Sequence, residues 1–172
     1  MNYLKGKTVY LSGAMAALAD GGVKWREYVS KKMDDLGVEI LDPTKKKSHS
    51  LEEIGENKNE FRELILQERF YELAEKFYPV ARWDLRSVDK ADFLIVDYDP
   101  SIHTVGTIDE IVIAHIEKKP ILLKYEKSQL NLFNPWITVR VKPEHLFATW
   151  DDLFKHLDDV NKGNFNHGLW TL

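Results

Sequence analysis

Residues 82–114 read RWDLRSVDKADFLIVDYDPSIHTVGTIDEIVIA. Within this stretch Phe93-Leu94-Ile95-Val96 is an apolar run closed by Asp97. A strand buried on both faces has this composition, which places it in the middle of a parallel sheet. The segment from Tyr98 to Thr107 leaves the carboxyl end of that strand, with Pro100, Ser101, Gly106 and Thr107 as turn residues. In open α/β sheets ligands bind at that end. The apolar pattern resumes as a helix over Ile108 to Glu117, with Asp109 and Glu110 in its first turn, where the helix dipole favours a carboxylate. Asp84 precedes the strand and Glu110 follows it, so both can converge on one pocket.

The same alternation extends outward in both directions. Thr8-Val9-Tyr10-Leu11 is a first strand that runs into the small-residue turn Ser12-Gly13-Ala14. After Asp20-Gly21-Gly22, the residues Val23, Trp25, Tyr28, Val29, Met33 and Leu36 form a helical pattern stopped by Gly37. Val38-Glu39-Ile40-Leu41 is a second strand, ended by Asp42-Pro43-Thr44. Residues 45–83 then interrupt the alternation with a helical insertion. Ser50 with Glu53 is a capping-box pattern for a short helix. Phe61, Leu64, Ile65, Leu66, Phe70, Leu73 and Phe77 predict a longer helix ending before Pro79. The insertion either walls a site, forms an oligomer contact or is plain scaffold. Ile121-Leu122-Leu123 is a fourth strand, Ile137-Thr138-Val139-Arg140-Val141 a fifth, and Trp150 to Val160 a closing helix. The expected architecture is a single α/β domain over residues 1–172, with a mostly parallel five-stranded sheet flanked by helices.

Composition narrows the function. The chain has 172 residues, 44% hydrophobic and 30% charged, with a net charge of −4. A large nucleic-acid footprint is not expected at that charge. The absence of cysteine excludes disulfides, thiolate metal sites and a cysteine nucleophile. No apolar run is long enough to span a bilayer, and residues 1–6 lack the apolar core of a signal peptide, so a cytoplasmic location is the default expectation. The Lys45-Lys46-Lys47 run reads as a solvated loop, with a phosphate contact as the alternative.

Glu110 is the foremost candidate for chemistry. A carboxylate held rigidly beside a buried strand can attack an electrophilic carbon and form a covalent ester. The alternative is a solvent-facing glutamate favoured by the helix dipole. Asp84 is equally two-sided: it either caps a short helix over Leu85 to Lys90 or serves as proton donor or hydrogen-bond partner to a leaving group. The Ser12-Gly13-Ala14-Met15 turn permits close backbone approach to a ligand. It matches neither the dinucleotide fingerprint nor the Walker loop. The six histidines lack metal-ligand spacing, and His103 is the one placed to touch a ligand. No serine sits in a nucleophile elbow. Trp25 and Trp136 are core residues or platforms for a base.

The order and spacing of several short pieces resemble the nucleoside 2-deoxyribosyltransferase superfamily over most of the chain. They are Val9-Tyr10-Leu11-Ser12-Gly13, Asp42-Pro43-Thr44, Asp84 with Ala91-Asp92, Val105-Gly106-Thr107-Ile108-Asp109-Glu110-Ile111 with Ala114, Lys119-Pro120-Ile121, and Asn134-Pro135-Trp136. The resemblance implies a flavodoxin-like fold and cleavage of a nucleoside N-glycosidic bond. Glu110 falls on the nucleophile that attacks C1′ of the deoxyribose, and Asp84 on the acid that assists the departing base. A second base, or water, then takes the sugar. Paired carboxylates suit the oxocarbenium-like transition state. The implied substrate contacts are Ser12, Gly13, Met15, Thr104, Gly106, Thr107, Asn134 and Trp136. The implied partners are a nucleoside or nucleotide and a free base, with no cofactor or metal. A homo-oligomer is also implied, in which Asn134 and Trp136 reach a neighbour's site.

Two departures bear on the substrate. The transferases commonly carry an aspartate six residues before the nucleophile, and here Thr104 stands there. The related deoxynucleoside 5′-monophosphate N-hydrolases carry a hydroxyl residue at that point, and Asp20-Gly21-Gly22 is similar to their Gly-rich loop. The helical insertion is also longer than in compact members. Transfer and hydrolysis, nucleoside and nucleotide, thus remain open at the level of sequence. A nucleotide-binding module without turnover is the reading from a different class.

Overall fold

In β1 (Thr8–Gly13) and β3 (Phe93–Tyr98) nearly every side chain is buried, on both faces. These two strands pair in parallel and form the centre of the sheet, with Ser12 opposite Val96 and Gly13 opposite Asp97. β2 (Glu39–Leu41) pairs with β1, β4 (Ile121–Tyr125) with β3, and β5 (Leu146–Phe147) with β4. All pairings are parallel, and the strand order is β2-β1-β3-β4-β5. This is a flavodoxin-like arrangement, whose direction of winding reverses between β1 and β3. The computed structural model describes residues 2–46, 56–165 and 170.

Strand period sorts the side chains into two layers. Val9, Leu11, Phe93, Ile95 and Leu122 pack with α1 (Val23–Leu36) and α6 (Trp150–Lys162) through Val29, Met33, Leu153, Leu157 and Val160. Tyr10, Leu94, Val96, Ile121 and Leu123 face the other way. They pack with α3 (Phe70–Lys90), α4 (Val105–Ile116) and α5 (Trp136–Arg140) through Val88, Ile111, Ala114 and Ile137. Trp170 is buried against Phe93 on the first face. Among the described residues no helix is long and apolar enough to cross a membrane.

Four local expectations change. Residues 137–141 are helical rather than a strand, and the fifth strand is Leu146–Phe147. Ile137 and Val141 are buried while Val139 is 67% exposed, a spacing of four that overrides the β-branched propensity. Pro79 lies inside α3 instead of ending it. Val80, Asp84, Ser87 and Val88 form one buried stripe that holds the helix together across the lost backbone bond. Consequently Asp84 is in mid-helix and caps nothing. The run from Phe61 to Phe77 is divided between α2 (Glu56–Leu66) and α3, and the Phe61 ring of the first meets the Phe77 ring of the second edge to face, 5.4 Å between centroids. Finally, α4 begins at Val105 with Thr104 as N-cap, so Asp109 and Glu110 lie in its second turn and not its first. The capping-box pair Ser50 and Glu53 lies outside the described residues.

Candidate active site

The site stands where β1 and β3 end, on the face covered by α3 and α4. Tyr10 and Ser12 are two residues apart on β1 and therefore point to the same side. Glu110 lies on the buried stripe of α4 with Thr107, Ile111 and Ala114. Asp84 lies on the buried stripe of α3. The Tyr10 hydroxyl is 2.8 Å from Glu110 Oε1 and 3.1 Å from Asp84 Oδ1. Ser12 Oγ donates to Glu110 Oε2. A phenol has one proton to donate, so Tyr10 can donate to only one of the two carboxyl groups at a time, and a protonated carboxyl can in turn donate to its oxygen.

Glu110 is 6% exposed and Asp84 8%. Burial pushes the Glu110 carboxyl up to about 7. The charge of Asp84 adds to the rise, while the hydrogen bonds from Ser12 and Tyr10 and the nearby Arg26 guanidinium oppose it. The solvent-facing reading of Glu110 is thereby replaced by a buried, structured carboxyl. Tyr10 is held well above its usual range, first by burial and then by the two carboxylates.

Lys46 departs from expectation most. Rather than a solvated or phosphate-facing lysine, it is a buried side chain whose Nζ lies 3.0 Å from Asp84 Oδ2 and 5.5 Å above the Trp83 ring. Arg26 was not legible as a functional residue at all. Its guanidinium is fully buried and donates to the carbonyls of Leu11, Gly13 and Gly22, strapping the end of β1 to the start of α1. One signal was present: Arg26 shares the buried helical stripe of Val29, Ser30 and Met33. Tyr10 was legible only as a strand residue, although it alternates with Ser12.

A cavity of about 340 Å³ opens over this unit. That is within the usual range for a small-molecule site. Gly13, Met15, Asp84, Thr104, Gly106, Thr107 and Glu110 line it, joined by His103, Tyr10, Pro43 and Phe77. Ser12, expected to contact substrate, does not line the cavity and reaches it only through Glu110. Gly13 allows the close approach of strand to strand, since a Cβ there would stand 3.0 Å from both the Asp97 carbonyl and the Trp25 ring. Thr104 makes no side-chain cap to α4, so its hydroxyl is not engaged by the helix it starts. Asn134 and Trp136 lie outside this cavity. Asn134 Oδ1 accepts from the Trp136 backbone N–H at 3.0 Å, and the exposed Trp136 ring carries the Arg140 guanidinium 5.1 Å from its centre. Trp25 is stacked on Trp150 rather than facing the cavity. Among the described residues no group of three or more histidines and carboxylates is arranged to hold a metal ion.

Together the strand order, the cleft at the reversal point and the paired carboxyl groups define an α/β fold with a small-molecule pocket. Solved structures share that fold. The chain aligns with a 2-deoxyribosyltransferase from Bacillus psychrosaccharolyticus over 87% of its own length and 95% of the other, at a TM-score of 0.55 and 19% identity. It aligns with a 2-deoxyribosyltransferase from Leishmania mexicana at 0.57 and 16% identity, covering 88% and 97%. A conserved protein from Enterococcus faecalis V583 aligns at 0.59 and 16% identity, covering 90% and 99%. No family model and no curated protein matches the chain.

Proposed function

We propose that this protein belongs to the nucleoside 2-deoxyribosyltransferase superfamily and cleaves the N-glycosidic bond of 2′-deoxynucleosides through a glycosyl-Glu110 ester, passing the deoxyribose to another base. The observation that carries this reading is the carboxyl pair: Glu110 and Asp84 meet at one tyrosine hydroxyl on the floor of the cavity. Both bonded oxygens lie within 3.1 Å of the same atom. They are thus closer than the roughly 6.5–9.5 Å that leaves room for a water in inverting glycosidases, a spacing that supports covalent chemistry.

In the first half-reaction the Glu110 carboxylate attacks C1′, and the electron pair of the C1′–N bond leaves with the base. Asp84 hydrogen-bonds the departing base and passes it a proton. Ser12 and Tyr10 hold the nucleophile in the attacking orientation. In the second half-reaction a nitrogen of the incoming base attacks C1′, returns a proton to Asp84 and frees Glu110. Thr104 favours a second reading. Its unengaged hydroxyl and the first-turn N–H groups of α4 suit a 5′-phosphate, which an aspartate at that point would repel. On that reading water completes the reaction and the product is a sugar phosphate. The deciding experiment incubates the protein with deoxynucleosides and with their 5′-monophosphates, with and without free bases. Exchanged base supports transfer, released base from monophosphates supports hydrolysis, and neither product from any substrate refutes the glycosidic reading.

A further inference from the structure

A lysine with no exposed side-chain surface needs a reason to be charged and buried. Lys46 follows the 3₁₀ turn Pro43–Lys45 that ends β2, and it crosses to α3 to meet Asp84. It does not line the cavity, so it reaches substrate only through Asp84. We propose that Lys46 is a positioning residue of this site: it fixes Asp84 and holds on the Lys46–Asp84 ion pair the proton that the departing base requires, so that Glu110 is free to lose its own. The role rests on the glycosidic reading of the same pocket.

The groups facing Glu110 define the problem. Tyr10 and Ser12 come from β1, Arg26 from α1 and Asp84 from α3. Asp97, at the end of β3, is met by Lys124 at 3.3 Å. Two carboxyl groups sharing one hydroxyl resist ionising together. A nucleophilic Glu110 must be ionised, yet the leaving base needs a proton from the same unit. A cation on the far oxygen of Asp84 resolves this conflict, because Oδ1 stays turned to Tyr10 while Oδ2 is bonded to Nζ. During cleavage the base takes a proton from Asp84, Asp84 takes one from the Lys46 ammonium, and the new ester bond forms at Glu110. When the incoming base attacks, its N–H proton returns through Asp84 to the Lys46 amine. Atoms and charge balance over the cycle.

Titration of the carboxyl groups tests this without relying on turnover. The full chain, labelled with ¹³C at the glutamate and aspartate carboxyl carbons, is followed by NMR from pH 4 to 9. Glu110→Gln and Asp84→Asn variants assign the two resonances. The account expects the upper midpoint of the pair to rise by about one pH unit or more in Lys46→Met and in Lys46→Gln, because the offsetting cation is gone. In Lys46→Met/Asp84→Asn the Glu110 midpoint returns to the wild-type value or below it. An upper midpoint within a few tenths of wild type in either folded single variant overturns the proposal. If neither single variant folds, a midpoint above wild type in the double variant overturns it. Base release by the wild-type chain is assayed separately, so failure of the glycosidic reading is seen there and not in the titration.

Discussion

Glu110 is divided between carboxylic acid and carboxylate at neutral pH, because burial has pushed it up to about 7. On the proposed mechanism the carboxylate form attacks C1′, so kcat/KM should climb as pH rises through about 7 and level off above it. Stability should move the opposite way. The folded value lies above the ordinary 4.5, so the native chain keeps a proton that the unfolded chain has released. Stability is therefore lost as pH rises from about 4.5 to about 7, by about 3 kcal/mol. His145, pushed down to about 4 by burial, has the reverse effect below pH 6.5, since the unfolded chain there binds the extra proton. The difference between wild type and Glu110→Gln isolates the glutamate. That variant should be inactive by several orders of magnitude, folded, and more stable than wild type at pH 8 by denaturant titration. Equal stability at pH 8 would contradict the buried, titrating Glu110. Asp84→Asn should slow natural deoxynucleosides by about 10²–10⁴-fold and analogues with an activated leaving group far less. A uniform loss on both would assign Asp84 to structure alone.

At the scale of elements, the site depends on how α1 and α4 begin. Gly22, the N-cap of α1, has φ 74°, and a Cβ there would collide with the Arg26 guanidinium and stand 2.6 Å from the Ala14 carbonyl. Gly22→Ala should destabilise the fold by at least about 1–2 kcal/mol and loosen the turn after β1 that lines the cavity. Chemical denaturation alongside the activity assay would show both effects, and an unchanged midpoint would mean that Arg26 moves aside freely. Sequence made the central elements legible, since Phe93–Val96 and Thr8–Leu11 carry strong patterns. It did not reveal the course of the chain around Pro79 or Ile137. There, burial against the sheet outweighs the local signals, and only the folded contacts show which face is apolar. Gly106 and Thr107 read as turn residues of the loop, yet they lie in the first turn of α4, which puts Glu110 one turn deeper in the helix than spacing implied. Lys46 and Arg26 were hidden for a related reason: a buried cation is unexpected in sequence until its carboxylate or carbonyl partners are placed beside it.

At the scale of the whole molecule, the sheet order puts the turn after β1 and the start of α4 at the same end of the fold, over the carboxyl ends of β1 and β3. Trp136 and Val139 on α5, with Leu130 and Leu132 before it, expose apolar surface. Asn134 borders a second hollow that shares His103, Thr104, Val105 and Asp109 with the rim of the main cavity. We propose a homo-oligomer in which this surface is covered and Asn134 and Trp136 stand beside a neighbour's pocket. Sedimentation of the active protein should give a dimer or larger species, and Trp136→Ala should weaken association together with activity. Full activity in a monomer at assay concentration would refute the shared site.

The central claim is a covalent bond between deoxyribose and Glu110, and the most direct measurement is trapping followed by peptide mass spectrometry. A 2-fluoro-substituted deoxynucleoside, whose glycosyl ester turns over slowly, should leave a fluorinated sugar on the peptide containing Glu110. Glu110→Gln should carry none. Release of base with no adduct, or an adduct on any other residue, would contradict the account.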